Sequence, residues 1–416
     1  MPVPTLSQFA QSLTTETAFD VLAVARRLKS AGKDVIELQI GDSPFPSSSS
    51  AVRAGKAAID AGRTTYGPSL GLPDFRAAAA KLVQEEFQIP ATAENIVVAP
   101  GAKPFEQFFC EAFLEPGDEV LIFEPAFPTY VPNLARRGAT AVTTPLRQEN
   151  QFRPDPREVE RFLSQSRRPK AIFLNTPHNP TGGVATAADL RAIADLIRGQ
   201  DIAVFSDEPY CHMVWDGQHR SILAEAGMID QCVAAFTFSK SYSMSGWRLG
   251  FAVAAPEVAT SMGKMINTAL SCVPPFVQIA GQAALEHDRE ERDATMAKFQ
   301  TKVDRLVGEL RQVPDVTVLM PAGTFYVFPN VQPICERLGI TSHGLARYLL
   351  EGADDSRGVA CLGGECFGPA GRGFLRFSCA EPDERLSAAV AFFREAITRT
   401  DRLTRYLDAQ PKYRLR

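Results

Sequence analysis

Lys240 stands in the stretch FTFSKSYSMSGWR, residues 236–248, where an apolar run gives way to small polar residues. Ser239, Ser241, Ser243 and Ser245 allow the backbone to come close to a ligand, and Arg248 precedes a second apolar run. A lysine at such a strand end lies where open α/β sheets keep their ligands; the competing reading is a solvated lysine in a serine-rich turn. Three more strand-end loops carry polar residues that a fold does not require. In APGAKPFEQ, Gly101 and Ala102 open a helix whose free N–H groups favour an anion, and Lys103 adds charge. In NTPHNPTGG, Asn175 and Asn179 could fix a planar polar ligand, although the same residues also make turns. In SDEPYCH, Asp207 ends an apolar run, where a carboxylate needs a partner, and Tyr210 follows on the same turn.

These loops need elements to hold them. Apolar runs at 96–99, 119–123, 140–144, 171–174, 202–206, 232–238 and 249–254 read as strands, with helical patterns between most of them. Such alternation predicts parallel pairing and right-handed crossovers. The expected fold is α/β, with a large, doubly wound, mainly parallel sheet domain over 51–305. Residues 275–311 read as one long helical pattern leading out of it. Strands at 316–320, 324–328, near 359 and at 374–378, with helices at 342–350 and 382–398, predict a smaller α+β domain over 306–416. The N-terminal segment, 1–50, completes it with a helix at 17–30 and a strand at 35–40. The basic tail, RLTRYLDAQPKYRLR, reads as a solvated end.

Composition narrows the function. A net charge of −4 over 416 residues offers no basic field for nucleic acid. The eight cysteines show no CxxC spacing, which fits free thiols in a reducing compartment. No secretory signal is visible at the N-terminus. Residues 265–285 lack charge but contain Pro274, Pro275, Asn267, Gln278 and Gln282, so a membrane span is not expected. A cytoplasmic protein follows. No GxxxxGK[ST] loop and no GxGxxG between strand and helix is present. His178 reads as a loop histidine, and neither His212 nor His219 matches a metal spacing, so no metal is expected.

An amine, an anion cradle, an arginine, a buried aspartate and an asparagine–tyrosine pair match the needs of pyridoxal 5'-phosphate. That cofactor requires a lysine for its aldehyde, an anion for its ring nitrogen, donors for its ring oxygen and a phosphate site. The chain also resembles the fold-type I pyridoxal-phosphate enzymes of the class I/II, aspartate aminotransferase-like, family. Five motifs in the family's order carry the resemblance: Tyr66-Gly-Pro-Ser-Leu-Gly71, Asn175-x-Pro-x-Asn179-Pro-Thr-Gly, Asp207-x-x-Tyr210, Ser239-Lys240 followed by Gly246-Trp-Arg248-Leu-Gly250, and Arg376-x-Ser-x-Ala380. The resemblance implies a cofactor bound covalently by Lys240, which then serves as general base in a 1,3-proton shift. Asp207 would pair with the ring nitrogen, Asn179 and Tyr210 with the ring oxygen, and Phe127 would stack on the ring. Gly101, Ala102, Lys103, Thr237, Ser239 and Arg248 would hold the phosphate, with Tyr66 reaching in from the other subunit of a homodimer with shared active sites. Arg376 would grip the substrate carboxylate, a bidentate task that suits arginine, with Gly41 and Asn175 beside it.

The implied reaction is a ping-pong transfer of an amino group between an L-amino acid and a 2-oxo acid. A C–S β-lyase on the same fold is the alternative, and a ligand-sensing protein with a decayed site is a more distant one. Ala102, Pro104 and Pro209 depart from the residues frequent in the family and could reshape the pocket. Thr17 and Lys103 are candidates for contact with a distal carboxylate. Phe45, Phe105, Phe325 and Phe328 could line an aromatic or aliphatic pocket, with core packing the favoured reading.

Overall fold

The computed structural model describes residues 3–13 and 17–415. Residues 1, 2 and 14–16 of the N-terminal segment, and Arg416 of the tail, lie outside the described residues. The strands in chain order are β1 (Asp34–Glu37), β2 (Ile96–Ala99), β3 (Glu119–Glu124), β4 (Thr140–Pro145), β5 (Pro169–Asn175), β6 (Ala203–Asp207), β7 (Cys232–Thr237), β8 (Gly250–Val253), β9 (Tyr326–Val327), β10 (Arg357–Ala360), β11 (Leu362–Gly363) and β12 (Leu375–Ser378).

Strands β2 to β8 form one sheet in the order β2-β8-β7-β6-β5-β3-β4. Its apolar runs are continuous because both faces are covered. Leu121, Phe123, Ile172, Leu174 and Val204 pack into a cluster on one face. Their chain neighbours Val120, Ile122, Phe173 and Phe205 pack into a cluster on the other. Each such side chain contributes roughly 1.5–3 kcal/mol when fully buried. Strands β3 to β7 pair in parallel, which sends their C-terminal ends to one edge. Register then puts Asn175 opposite Asp207, and Asp207 opposite Ala235. β8 is the exception, running antiparallel to β7 and β2. The link 238–249 has no crossover helix; one short helix, Phe238–Ser241, and a 3-10 turn, Ser245–Trp247, return the chain along the neighbouring strand.

A second group of elements lies around β1 paired with β10, and the sheet β11-β12-β9. Phe299, Val303 and Leu306 of the helix Arg289–Leu310 share a core there with Phe325, Val359, Phe377 and Phe393. β12 carries Arg376, and the chain leaving β1 carries Gly41, so this group supplies both to the sheet edge.

Three expectations are corrected. The pattern 275–311 is two helices, Pro275–His287 and Arg289–Leu310, because buried Asp288 turns away to accept the Ser50 and Ala51 amides. Residues 316–320 form no strand; Thr317 makes a single bridge to Asn330. The tail is not a solvated end: it forms the helix Thr400–Ala409 and buries Leu403, Leu407 and Tyr413 in the core. Among the described residues, no helix is long and apolar enough to cross a membrane.

Candidate active site

A cavity of about 490 Å³ opens at the C-terminal edge of the parallel strands. Lys240, Asp207, Tyr210, Asn179, Arg248 and Arg376 all line it. Gly41, Asn175, Ala102, Lys103, Phe127, Thr237 and Ser239 line it as well. Of the residues expected at the site, Gly101 stands just behind this wall, and Tyr66 lies outside it, 87% exposed.

Each group is placed by its element. Lys240 sits on the short helix that leaves β7, and its Nζ donates to the Gly41 carbonyl at 2.5 Å. It lies over the Tyr210 and Phe325 rings, 5.7 and 5.8 Å from their centroids. Asp207 ends β6 with 6% exposure, and the Tyr130 hydroxyl donates to its Oδ2 at 2.6 Å. Burial pushes this carboxyl up, as does the charge of Glu208; Tyr130, Lys103 and Lys240 act in the other direction. A cation brought to Asp207 would oppose that shift.

The loop after β5 is held by its own amides. Asn175 Nδ2 donates to the Asp207 carbonyl at 2.8 Å, and Asn175 Oδ1 accepts the Asn179 amide at 2.9 Å. Asn179 Oδ1 accepts from Arg376 Nη1 at 3.1 Å. Arg376 is 4% exposed, lies 4.3 Å over the Tyr326 ring, and keeps a buried Nε without a hydrogen-bond partner. Tyr326 also meets Tyr210, hydroxyl to hydroxyl, at 3.1 Å. Burial, then Tyr326, raises the Tyr210 phenol. A Cβ on Gly41 would overlap the Tyr326 hydroxyl, so any larger residue there would have to displace that ring.

The opposite end is an anion cradle. The helix Lys103–Phe113 starts at Ala102, which offers no side-chain cap, and Ala102 and Lys103 present its positive end to the cavity. Arg248 is beside them, fixed through the Ser245 and Pro100 carbonyls at 3.0 and 2.8 Å. Gly101 has φ +90°, and a Cβ on it would meet that guanidinium. Thr237 accepts the Ser239 amide at 3.2 Å, so both hydroxyls stay at the mouth of the turn. Lys103 Nζ is 5.2 Å from the Phe127 ring centroid.

Sequence reasoning missed Tyr130, Tyr326 and Glu106. Tyr130 opens the helix Tyr130–Arg136, three residues after Phe127 on the loop that leaves β3, so a search of the strand-end loops could have found it. Tyr326 arrives from β9, and no local signal marks it. Phe105 and Phe325 are fully buried, and Phe328 nearly so. His178 is buried, with Nδ1 2.7 Å from Thr181 Oγ1. No group of three or more His, Cys, Asp or Glu among the described residues could hold a metal ion.

The family model for aminotransferase class I and II matches residues 33–393. An aspartate aminotransferase of Pyrococcus horikoshii is 35% identical over 88% of this chain and 91% of its own. An arginine–pyruvate transaminase of Pseudomonas aeruginosa is 31% identical over 90% of this chain and 94% of its own. Among solved structures, the aspartate aminotransferase from Thermus thermophilus with maleate superposes with a TM-score of 0.88 at 29% identity, covering 95% of this chain and all of that one.

Proposed function

The chain belongs to the aminotransferase class I and II family and is an aminotransferase, and we propose that it works by two half-reactions on one bound pyridoxal phosphate. An L-amino acid gives up its amino group in the first, and a 2-oxo acid accepts it in the second. The observation that carries this reading is the meeting of Lys240, Asp207, Arg248 and Arg376 in one cavity of about 490 Å³, within the usual range for a cofactor and its substrate.

The residues fit the cofactor. A buried carboxylate, Asp207, faces the cavity where a ring nitrogen needs an anion. The positive N-terminal end of the helix Lys103–Phe113, beside Arg248, suits a phosphate. Lys240 lines the same cavity as these groups. We therefore assign Lys240 to covalent attachment, Asp207 to the ring nitrogen, and Asn179 and Tyr210 to the ring oxygen. Phe127 faces the ring, and Gly101, Ala102, Lys103, Thr237, Ser239 and Arg248 hold the phosphate. When bound, the group supplies an electron sink that makes the substrate's α-hydrogen acidic.

The chain's own residues do the rest. Arg376 receives the substrate carboxylate with its guanidinium, aided by Asn175 and the open space over Gly41. Its unpaired Nε and the donors now given to Asn179 and Gln39 are the groups a carboxylate would engage. Lys240, once displaced by the substrate amine, takes the α-hydrogen as a proton on Nζ and returns it at the other end of the shift. Residues 51–305 are taken as the cofactor-binding unit, and 1–50 with 306–416 as the unit that brings Gly41 and Arg376. We place Tyr66 in the neighbouring site of a homodimer, and the chain in the cytoplasm.

The test loads the protein with pyridoxal phosphate and adds amino acids one at a time without an acceptor. The expected result is one oxo acid per site with a change in visible absorbance, reversed by adding a 2-oxo acid. Continuous release of ammonia without an acceptor would overturn the reading.

A further inference from the structure

Given the role proposed for Lys240, we propose that Glu86 and His212, acting through Ser241, are positioning residues for its amine. When Nζ leaves the Gly41 carbonyl to react, its aim is set by the backbone that carries it. That backbone is the helix Phe238–Ser241, capped at its start by Thr237. Its last residue, Ser241, is 2% exposed, and its Oγ lies 2.9 Å from Nδ1 of His212. Nε2 of the same ring lies 2.9 Å from Glu86 Oε2 and 2.9 Å from Arg292 Nη1. Arg292 also donates to Glu86 at 3.0 Å and to the Tyr242 hydroxyl at 3.3 Å.

Burial pushes the His212 imidazole down to about 4, so near neutral pH it has one N–H and one bare nitrogen. Both tautomers hold Ser241, but only the one protonated on Nε2 does so through Glu86; the other is held by Arg292. With the proton on Nε2, the ring donates to Glu86 and accepts from Ser241. With the proton on Nδ1, it donates to Ser241 and accepts from Arg292. Ser241 is tied in either case. The Cys211 thiol, 3.5 Å from Nδ1, is the competing partner. The remaining charged groups near the ring are Arg289, 3.5 Å from Glu86, Asp293, 2.8 Å from Arg292 Nε, and the buried Glu208–His219 pair.

The chain joins separate parts of the molecule. Glu86 comes from the helix Pro73–Phe87 and Arg292 from Arg289–Leu310, both outside the sheet. His212 follows Tyr210 by two residues, so one ring fixes the loop of the ring-oxygen donor to the turn of the amine. Removing the link leaves Lys240 in place but frees the end of its turn.

The test compares holoenzymes of Ser241→Ala, His212→Phe and His212→Asn, loaded with pyridoxal phosphate. It reads kcat and KM separately, and the pH midpoint of the bound cofactor's visible absorbance. In Ser241→Ala and His212→Phe we expect kcat to fall about tenfold at unchanged KM, short of the ~100-fold that a misplacement of about 1 Å can cause. The midpoint should move by about half a pH unit or more. His212→Asn keeps a polar atom toward Ser241 and should recover most of the kcat. A folded Ser241→Ala with wild-type kcat and midpoint overturns the proposal, as does a loss of thermal stability with neither readout changed. Should His212→Phe not fold, Ser241→Ala decides alone, since it removes one oxygen. Wild-type absorbance and activity in Lys240→Ala would instead overturn the assignment of Lys240, so the two failures are separable.

Discussion

Asp207 carries a charge that its surroundings oppose: it is 6% exposed, and burial and Glu208 both raise its carboxyl. A cationic ring nitrogen would hold it ionised, which gives the residue a task that Tyr130 alone does not explain. Asp207→Asn keeps the shape and removes the charge. It should still bind the cofactor while kcat falls by about 100-fold or more, the scale of losing one preorganised electrostatic partner; a wild-type kcat would contradict the assignment. His178 gives a prediction about pH. Burial lowers its folded value from 6.5 to about 3. Between those values the unfolded chain binds a proton that the folded chain does not. Stability from this site is therefore whole above the unfolded value and falls with pH below it, by about 1.4 kcal/mol per unit. Urea unfolding of His178→Gln between about pH 6 and 4 should show a shallower acid decline than the wild type; an equal decline would assign the effect elsewhere. Lys240, Asp207, Asn179 and Arg248 were legible because each follows or precedes an apolar run. Tyr326 was not, because a fold contact alone brings it to Arg376.

At the scale of elements, strand spacing was legible and chain breaks were not. The two helices on either side of Asp288 share one apolar periodicity, and nothing local announces the turn. Its cause lies 238 residues away, where the Asp288 carboxylate accepts the Ser50 amide. The helix Ser49–Asp60 begins at Ser48, which makes no cap bond with its own side chain. Asp288 thus caps this helix from a distance and fixes it to the helix Pro275–His287, with which it packs. Asp288→Ala should cost about 1–2 kcal/mol, the usual loss for a helix cap. A urea midpoint lowered at unchanged KM is the expected outcome, and an unchanged midpoint would deny the cap. The tail could have been read better. Leu403 and Leu407 are four apart, on one helical face, but the surrounding arginines suggested a solvated end. Those arginines remain outside while the leucines are buried.

For the whole molecule, the question is what completes the site. The cavity is walled on one side by the recess that holds Leu13, Val131 and Leu270, which are 46%, 48% and 42% exposed. Lys103 and Arg248 line both spaces. Exposed apolar side chains next to charged ligand groups are poorly placed for water and well placed for a second chain. Tyr66 is 87% exposed and absent from its own cavity, yet it opens the loop that contacts Pro275 through Gly67. A Tyr66 that serves the partner can be tested by complementation. Lys240→Ala and Tyr66→Ala should each be impaired alone. In a mixed dimer, one site carries both changes and the other carries neither. After subunit exchange in equal amounts, half of the dimers are mixed and each has one intact site, so activity should rise to about a quarter of the wild type. If Tyr66 acted within its own chain, each site of the mixed dimer would carry one of the two changes, and exchange would restore nothing beyond the residual activity of Tyr66→Ala.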